Sequence, residues 1–295
     1  MKRVSILLAV YNGALYLDTA LKSVCDQTFP HWEVLAVENG STDQTLDILK
    51  VWSTLDERIK VFTNVEKGKN QAFNRAFQES SNEYICFLAA DDILHPESLE
   101  HRIKILKNNP KMTYSTCLLE TISDDKKFDG MIFPKNRESP NFSGGSIFFK
   151  RQIALKVFPI PENLPNEDVW TSLHLKNFAK GIHLPKPLYI YRIHKNNSYG
   201  YHSGFETKRK GFLDRTIAFE LFLEKYKNEL SQDKVTYLIS FSKGLRAVEE
   251  NGFWRILFIK LPLKDKIIFM YFCSPFLFWL KQRLFKYLSG KIELV

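Results

Sequence analysis

Short apolar runs alternate with amphipathic stretches over the first hundred residues of this chain. The runs that we predict to be strands cover residues 4–10, 32–37, 58–62 and 84–89. Between them, apolar residues recur every three or four positions, which predicts helices over 16–25, 44–52 and 70–78. Strands that alternate with helices in this way form a mostly parallel sheet covered by helices, so the pattern predicts an α/β fold.

The alternation becomes less regular in the second hundred residues and then changes in kind. We predict helices over 99–106 and 169–178, strands over 114–122, 146–149 and 188–193, and a polar loop over 124–141. From Phe205 onward the spacing is helical, first amphipathic and then strongly apolar after about Glu250. We therefore predict two parts, an α/β domain over 1–203 and a helical C-terminal region over 204–295, with the boundary at 200–204.

Polar side chains stand where two of the predicted strands end. Tyr11 and Asn12 follow the first strand, and Asp91 and Asp92 follow the fourth. In open α/β sheets, ligands bind at the carboxyl ends of the strands. Carboxylates are hard oxygen ligands that suit a divalent cation, but the same two aspartates could equally cap the next helix.

Six short motifs resemble, in order and in register, those of the family 2 glycosyltransferases of the GT-A fold. They are VSILLAVYN at 4–12, VENGSTD at 37–43, FLAADD at 87–92, SGGSIFFK at 143–150, NED at 166–168 and YRIH at 191–194. The resemblance covers about residues 2 to 200. It implies a Rossmann-like GT-A fold, here with a C-terminal helical extension, and an inverting enzyme that uses a nucleotide-sugar donor.

The resemblance implies a site for Mn²⁺ or Mg²⁺ made by Asp91, Asp92 and His194. A divalent cation on the diphosphate stabilises the charge that gathers as the glycosidic bond breaks. Neighbouring side chains of an extended segment point to opposite faces, so we expect only one aspartate to face the metal, and family position favours Asp91. The family usually carries another Asp at the position of Ala89. His194 is therefore a candidate to complete the site, the alternative being a hydrogen-bonded structural His.

The candidate nucleotide-binding residues are Ala9, Tyr11, Asn39, Lys69, Arg75 and Ala90. By resemblance Tyr11 can stack on the base, and Asn39 stands where most relatives have an Asp that accepts the uracil N3 hydrogen. The amide oxygen of Asn39 can still accept that hydrogen, so a UDP-sugar is the expected donor. Lys69 and Arg75 are candidates because a positive charge could meet the diphosphate.

An inverting transfer needs one general base that removes the proton of the acceptor hydroxyl. Family position gives this role to Asp168, with a simple helix cap as the alternative. The candidate substrate or acceptor contacts are Gly145, Glu167, Trp170 and Arg192. Gly145 could form a floor under the sugar where a side chain would collide, and Arg192 could neutralise phosphate.

The net charge of +9 is concentrated near the C-terminus, where residues 251–295 carry six of the nine charges among many aromatic and aliphatic residues. Since no nucleic-acid recognition motif accompanies the charge, we expect an anionic membrane surface and no nucleic acid as partner. The apolar run 267–280 is shorter than the about 20 residues that span a bilayer. A core helix or a homodimer interface is the alternative.

The four cysteines show neither C-x-x-C nor zinc-site spacing and are interpreted as reduced thiols. The basic residues at 2–3 and the apolar run after them lack a signal-peptide cleavage site. We therefore expect a cytoplasmic protein, peripheral on the inner face of the plasma membrane.

The expected reaction moves a hexose or N-acetylhexosamine to a hydroxyl of a saccharide or lipid-linked saccharide of the bacterial cell surface, such as lipopolysaccharide or capsule.

Two other functions stay open at this point. Another sugar-nucleotide enzyme would want a Gly-rich phosphate loop after the first strand, and Asn12-Gly-Ala-Leu does not supply one. A catalytically silent GT-A-like binding or scaffold protein is suggested by Ala89 and by Glu38-Asn39, where the family pattern is broken.

Overall fold

The computed structural model describes residues 3–63, 67–124, 126–165, 167–195, 197 and 204–289. The chain divides into two compact units, Met1–His194 and Lys195–Val295. The boundary expected at 200–204 falls mainly on residues outside the described part, and the domain limits stay a prediction.

One mixed sheet runs through the first unit. Among the described residues its nine strands are β1 (Val4–Val10), β2 (Trp32–Glu38), β3 (Ile59–Thr63), β4 (Tyr84–Ala89), β5 (Ile93–Leu94), β6 (Tyr114–Ser123), β7 (Ile132–Phe133), β8 (Ile147–Lys150) and β9 (Gly181–Ile193). The spatial order is β3-β2-β1-β4-β8-β6-β9-β5, and β7 pairs with β6. Strands β1 to β4 are parallel, whereas β8 is antiparallel to both of its neighbours and β5 is antiparallel to β9.

Six α-helices accompany this sheet within the described residues. They are α1 (Leu17–Cys25), α2 (Thr45–Leu55), α3 (Lys69–Glu79), α4 (Ser98–Asn108), α5 (Arg151–Val157) and α6 (Glu167–Phe178). Strand β2 is buried along its whole length and β1 nearly so, as expected for central strands of a parallel sheet. Leu17, Leu21 and Val24 of α1 join the core at helical spacing.

The predicted α/β class is confirmed, and every strand and helix predicted before residue 110 is present with ends within three residues of those expected. The sheet is mixed rather than mostly parallel, because β8 enters it between β4 and β6 in the opposite direction. The sequence pattern missed β5, β7 and α5. Two-residue strands and a seven-residue helix are too short to show a periodicity.

Strand β9 is twice as long as the predicted 188–193, because Pro185 and Pro187 break the apolar pattern before that point. Proline cannot donate to a sheet ladder and is tolerated at irregularities. The β6–β9 pairing shifts register on both sides of Leu118, opposite this proline-containing stretch. The irregularity lets one strand continue to the end that carries Arg192.

The second unit is helical, as predicted. Its described helices are α7 (Phe205–Leu213), α8 (Arg215–Tyr226), α9 (Gln232–Glu249), α10 (Phe253–Phe258), α11 (Leu263–Cys273) and α12 (Pro275–Ser289). Its core includes Phe212, Leu245, Val248, Ile256 and Phe269. In the part of the chain that is described, no helix combines the length and the apolar character needed to cross a bilayer.

Candidate functional site

The turn that carries Asp91 and Asp92 lies beside the end of β9. Antiparallel pairing places Ile93 of β5 opposite Ile190 of β9. As a result, Oδ2 of Asp91 lies 2.9 Å from Nε2 of His194. The Nε of Arg192 donates to the backbone oxygen of Asp91 at 3.0 Å. Two predicted motifs that lie a hundred residues apart in the sequence therefore meet at one edge of the sheet.

The two aspartates have different environments. Asp92 is buried, and its Oδ2 accepts a 2.8 Å hydrogen bond from the hydroxyl of Tyr189 while its Oδ1 accepts one from the backbone N–H of Arg192 at 2.9 Å. Burial, and secondly the charge of Asp91, raises the pKa of Asp92 to about 8. Asp91 is partly exposed. We therefore retain Asp91, but not Asp92, as a candidate metal ligand, in line with the expectation that only one of them faces the cation.

Asp91 and His194 are a facing oxygen and nitrogen pair of the kind that binds Mn²⁺. Within the described ranges, no group of three or more His, Cys, Asp or Glu side chains is arranged to hold a metal ion. Ions of nucleotide sites are commonly held by one or two protein ligands together with the phosphates of the substrate. The pair therefore fits a cation that arrives with a diphosphate.

The other predicted acidic residues begin α6, next to Lys69 at the start of α3. Nζ of Lys69 lies 2.8 Å from Oε2 of Glu167. Burial lowers the pKa of Lys69, but the charges of Glu167, Asp168 and Asp91 outweigh this effect and raise it above its ordinary value. The charges of Asp91 and Asp168 therefore both act on the Lys69 ammonium. Asn166, which precedes them in the motif, lies outside the described residues.

The Gly144-Gly145 segment packs tightly between two residues of this region. A Cβ on Gly144 would lie 3.2 Å from Oε1 of Glu167, and a Cβ on Gly145 would lie 1.9 Å from the ring of Tyr189. A side chain at 145 is therefore excluded by Tyr189, a physical reason different from the collision with a sugar that the sequence suggested. The role of Gly145 as a substrate contact stays a prediction.

The predicted nucleotide end lies at the carboxyl ends of β1 and β2. Tyr11 is 55% exposed and accessible to a base. Asn39 is buried, its N–H donates to the Val10 oxygen, and its Oδ1 accepts from the N–H of Gly68 at 3.0 Å. The oxygen that was expected to meet uracil is thus already engaged by backbone and would have to be shared.

Ala9 and Ala90 lie near this end of the sheet. Ala9 pairs in register with Ala89 on β4, so Ala90 follows directly at the neighbouring strand end. A Cβ on Gly13 would lie 3.1 Å from that of Ala90, so the loop after β1 runs close against it. Both alanines are half-buried, and their role toward a nucleotide stays a prediction.

A network of polar side chains holds the loops after β1 and β2 together. The N–H of Asn12 donates to Oγ of Ser41, and Oδ1 of Asn12 accepts from the N–H of Thr42. Asp43 accepts hydrogen bonds from the N–H groups of Ala14 and Thr45 and from the hydroxyl of Thr45. Burial alone would raise the pKa of Asp43, but these hydrogen bonds outweigh burial and bring the pKa below its usual range. Asn12, Ser41 and Asp43 therefore tie the two loops to each other.

Two predicted site residues have other partners. Trp170 is fully buried, and its indole N–H donates to the backbone oxygen of Val157 at 2.8 Å, so its side chain packs in the core and does not face an acceptor. Arg75 forms an ion pair with Glu79, one turn further along α3, at 2.7 Å and lies over the ring of Phe62. Neither belongs to the group around Asp91 and Lys69.

Tyr16 and Tyr189 belong to the site but were not predicted. The Tyr16 hydroxyl donates to Asp124 at 2.7 Å, its ring lies 4.9 Å from that of His194, and the guanidinium of Arg192 lies 4.5 Å from its centroid. Burial, and then Asp124, raises the pKa of Tyr16 to about 12. In the sequence both tyrosines read as ordinary apolar positions, so only the pairing of distant segments reveals them.

Comparison with known proteins gives the family. Residues 5–158, more than half of the chain, match the model of Glycosyl transferase family 2. EpsH of Bacillus subtilis (strain 168), which carries the name of a glycosyltransferase, is 27% identical over 209 residues that cover 65% of this chain and 61% of EpsH. TuaG of the same organism, named for teichuronic acid biosynthesis, is 36% identical over 104 residues, 35% of this chain and 41% of TuaG. The chain thus spans about three fifths and two fifths of these two relatives.

Solved structures show the same fold. S. aureus TarS 1-349 in complex with UDP-GlcNAc matches with a TM-score of 0.64 at 17% identity, over 98% of this chain and 88% of that one. The mannosyltransferase PcManGT from Pyrobaculum calidifontis, in complex with GDP-Man and Mn²⁺, matches with a TM-score of 0.59 at 19% identity. The match covers 73% of this chain and 63% of that one. The predicted GT-A fold with a helical C-terminal portion is confirmed. The chain belongs to the family 2 glycosyltransferases.

Proposed function

We propose that this chain is an inverting glycosyltransferase that moves a hexose or N-acetylhexosamine from a UDP-sugar to a hydroxyl of a saccharide or lipid-linked saccharide of the cell surface. The observation that carries the proposal is the Gly144-Gly145 segment, where a Cβ on Gly144 would lie 3.2 Å from Glu167 and where Gly145 packs on Tyr189, the tyrosine that donates to Asp92. Glu167 in turn pairs with Lys69, whose pKa the charges of Asp91 and Asp168 both raise. A candidate ligand for the donor's cation and a candidate base for the acceptor thus lie in one site.

The donor end is formed by Asp91, His194 and Arg192. Asp91 and His194 are the residues that would hold Mn²⁺ or Mg²⁺, which offsets the charge on a leaving diphosphate. Arg192 is fixed by its hydrogen bond to the Asp91 backbone and by the ring of Tyr16, so its positive charge stands beside Asp91 in one orientation. A fixed guanidinium suits a phosphate oxygen.

The acceptor end is formed by Asp168, at the start of α6. In the proposed step the acceptor oxygen bonds to C1 of the sugar, its proton passes to the Asp168 carboxylate, and the bond from C1 to the diphosphate oxygen breaks. The products are the glycoside with inverted configuration and UDP. The ion pair of Lys69 with Glu167 holds the first turn of α6 against α3 and so positions Asp168.

The choice of donor and acceptor rests on the relatives. TarS has been solved with UDP and with UDP-GlcNAc, whereas PcManGT has been solved with GDP-Man, so uridine is supported but not unique within the fold. TuaG is named for a cell-wall polymer. We propose an acceptor of this general class, with lipopolysaccharide and capsule included, and a location on the inner face of the plasma membrane.

The test is UDP release from a panel of UDP-sugars, with and without acceptor glycans, in Mn²⁺ and in Mg²⁺. We expect Asp168→Asn to lower the transfer rate by about a thousandfold, the range of general base catalysis, while donor affinity changes little. Asp47→Asn on α2, an exposed carboxylate in a weak pair with Lys50, is the matched control and should behave like the wild type. Absence of UDP release from every donor by the wild type would instead favour the scaffold function that Ala89 suggested.

A further inference from the structure

Large apolar side chains are exposed along two short helices of the second unit. Trp254 and Phe258 on α10 are 72% and 89% exposed, and Leu263 at the start of α11 is 73% exposed. Buried side chains of the same helices, Ile256 and Phe269, belong to the core of this unit. Each helix therefore packs with one side and presents an apolar side to the outside.

These exposed residues share faces of their helices. Trp254 and Phe258 are four positions apart on α10, and Leu263 and Ile267 are four apart on α11, so each pair lies on one side. The ammonium of Lys266 on α11 donates to the backbone oxygen of Leu257 at 2.7 Å, which fastens the start of α11 to the end of α10. We call the four side chains Trp254, Phe258, Leu263 and Ile267 the α10–α11 surface.

The exposed charge of residues 253–283 is positive, although one of its members, Arg255, is paired with Glu250 just before α10. The basic residues between 253 and 283 are Arg255, Lys260, Lys264, Lys266, Lys281 and Arg283. The acidic residue of this stretch is Asp265, which is buried and accepts a hydrogen bond from Tyr237. Lys260 and Lys264 are exposed and flank the turn between Phe258 and Leu263.

The following helix repeats the arrangement. Phe276 and Trp279, three positions apart on α12, are both more than half exposed. The guanidinium of Arg283 lies 4.8 Å from the centroid of the Trp279 ring. Exposed aromatic rings next to cationic side chains are typical of the zone where a protein meets lipid headgroups.

We propose that the α10–α11 surface binds the surface of an anionic lipid bilayer. A second copy of the chain would cover the apolar side chains but would bring Lys260 and Lys264 against like charges. A nucleic acid would match the lysines but would leave Trp254 and Phe258 against a polar backbone. An anionic bilayer suits both the apolar side chains and the lysines, because the apolar side chains enter the interface while the lysines contact the headgroups.

This surface deepens the proposed function, because a lipid-linked acceptor would be met at a membrane. Its test uses neither donor nor acceptor. It can therefore fail while sugar transfer is found, or hold while transfer is absent.

The experiment is sedimentation of the full chain with vesicles of phosphatidylcholine, with or without about 30% phosphatidylglycerol. We expect binding to the anionic vesicles to be at least about tenfold stronger, and to weaken when salt is raised, because screening shortens the reach of surface charges. The double variant Trp254→Ser, Phe258→Ser should bind anionic vesicles about tenfold more weakly. The double variant Lys260→Glu, Lys264→Glu should lose the preference for phosphatidylglycerol.

Leu155→Ser on α5, an apolar position in the first unit that is also well exposed, at 64%, is the matched control and should bind vesicles like the wild type. Thermal melts should be alike for all variants, since the changed side chains are exposed. Equal binding to both kinds of vesicle, or unchanged binding by the Trp254 and Phe258 variant, would overturn the proposal. So would self-association of the wild type in sedimentation velocity that this variant abolishes, because a second copy would then cover the surface.

Discussion

Tyr189 connects three parts of the site that are far apart in the sequence. Its hydroxyl donates to Oδ2 of Asp92 at 2.8 Å and accepts from the N–H of Ala89 at 3.3 Å. Its ring fills the space above Gly145. Ala89 stands where the family usually has an aspartate, so this position offers no carboxylate. The hydroxyl of Tyr189, on β9, is a polar group that hydrogen-bonds to the turn from another strand.

Tyr189→Phe should keep the ring and remove only these hydrogen bonds. We expect a loss of about 1 to 2 kcal/mol in the free energy of unfolding, because Asp92 is buried and would lose one of its two donors. Donor affinity should fall as well, since the turn also carries Asp91. The measurements are urea unfolding and titration with the donor. Tyr114→Phe is the matched control, because the ring of Tyr114 packs on Gly181 in the same way; an equal loss in both variants would contradict a special role for Tyr189.

At the scale of elements, the junction between α2 and β3 shows how a short connection is stabilised. Asp56 follows α2, and the guanidinium of Arg58, which precedes β3, binds its carboxylate at 2.6 Å. The same guanidinium lies 3.6 Å from the centroid of the Trp32 ring. The hydrogen bond from Arg58 outweighs burial and lowers the pKa of Asp56 below its ordinary value.

Asp56→Asn should lower the free energy of unfolding by about 1.5 kcal/mol at neutral pH, the scale of a hydrogen bond to a charged group. A carboxyl whose pKa is lowered by folding stabilises the protein above the pKa of the unfolded chain, and this stabilisation is lost as the pH falls through the folded value. The difference between wild type and variant should therefore shrink below about pH 4. Urea unfolding at several pH values measures it, and a constant difference across the series would refute the assignment.

Strand β9 contributes most to the site among the elements, because its end brings Tyr189, Arg192 and His194 to the turn after β4. That position depends on pairing with β5, a strand of two residues, and on the shifted register against β6. The alternation within 188–193 predicts a strand there, but a strand can pair in many registers. The sequence could therefore name Arg192 and His194 as candidates without showing what they contact.

At the scale of the whole molecule, the candidate site draws on both halves of the first unit. Asp91 comes from the end of β4, Lys69 from α3, Asp168 from α6, and Arg192 and His194 from the end of β9. The parallel half of the unit supplies the expected nucleotide end, Asp91 and Lys69, and the second half supplies Arg192, His194 and the candidate base Asp168. The family match covers residues 5–158, so Asp168, Arg192 and His194 lie beyond it.

Removal of divalent cations should test the donor end as a unit. We expect chelation to weaken donor binding by at least about tenfold, with Mn²⁺ restoring it, because a cation on the diphosphate supplies much of the attraction. His194→Gln should reduce the increase in donor affinity that Mn²⁺ gives, and it should leave the donor affinity measured in chelator nearly unchanged. His31→Gln is the control, because His31 directly precedes β2 and so lies at the edge of the sheet opposite the carboxyl ends of the strands. Isothermal titration calorimetry with and without metal measures both effects, and equal donor affinity in chelator would contradict the assignment of Asp91 and His194.

The amino-acid sequence by itself determined the elements up to residue 110, the helical character of the C-terminal region and the positions of the family motifs. Those are properties of local periodicity and of short residue patterns, which neighbouring residues set among themselves. Only the tertiary structure decided that Asp92 is buried under Tyr189, that Trp170 packs in the core, and that Asp91 faces His194. Each depends on which distant segments pair and in which register, and this is settled by burial of the whole core rather than by any short stretch of chain.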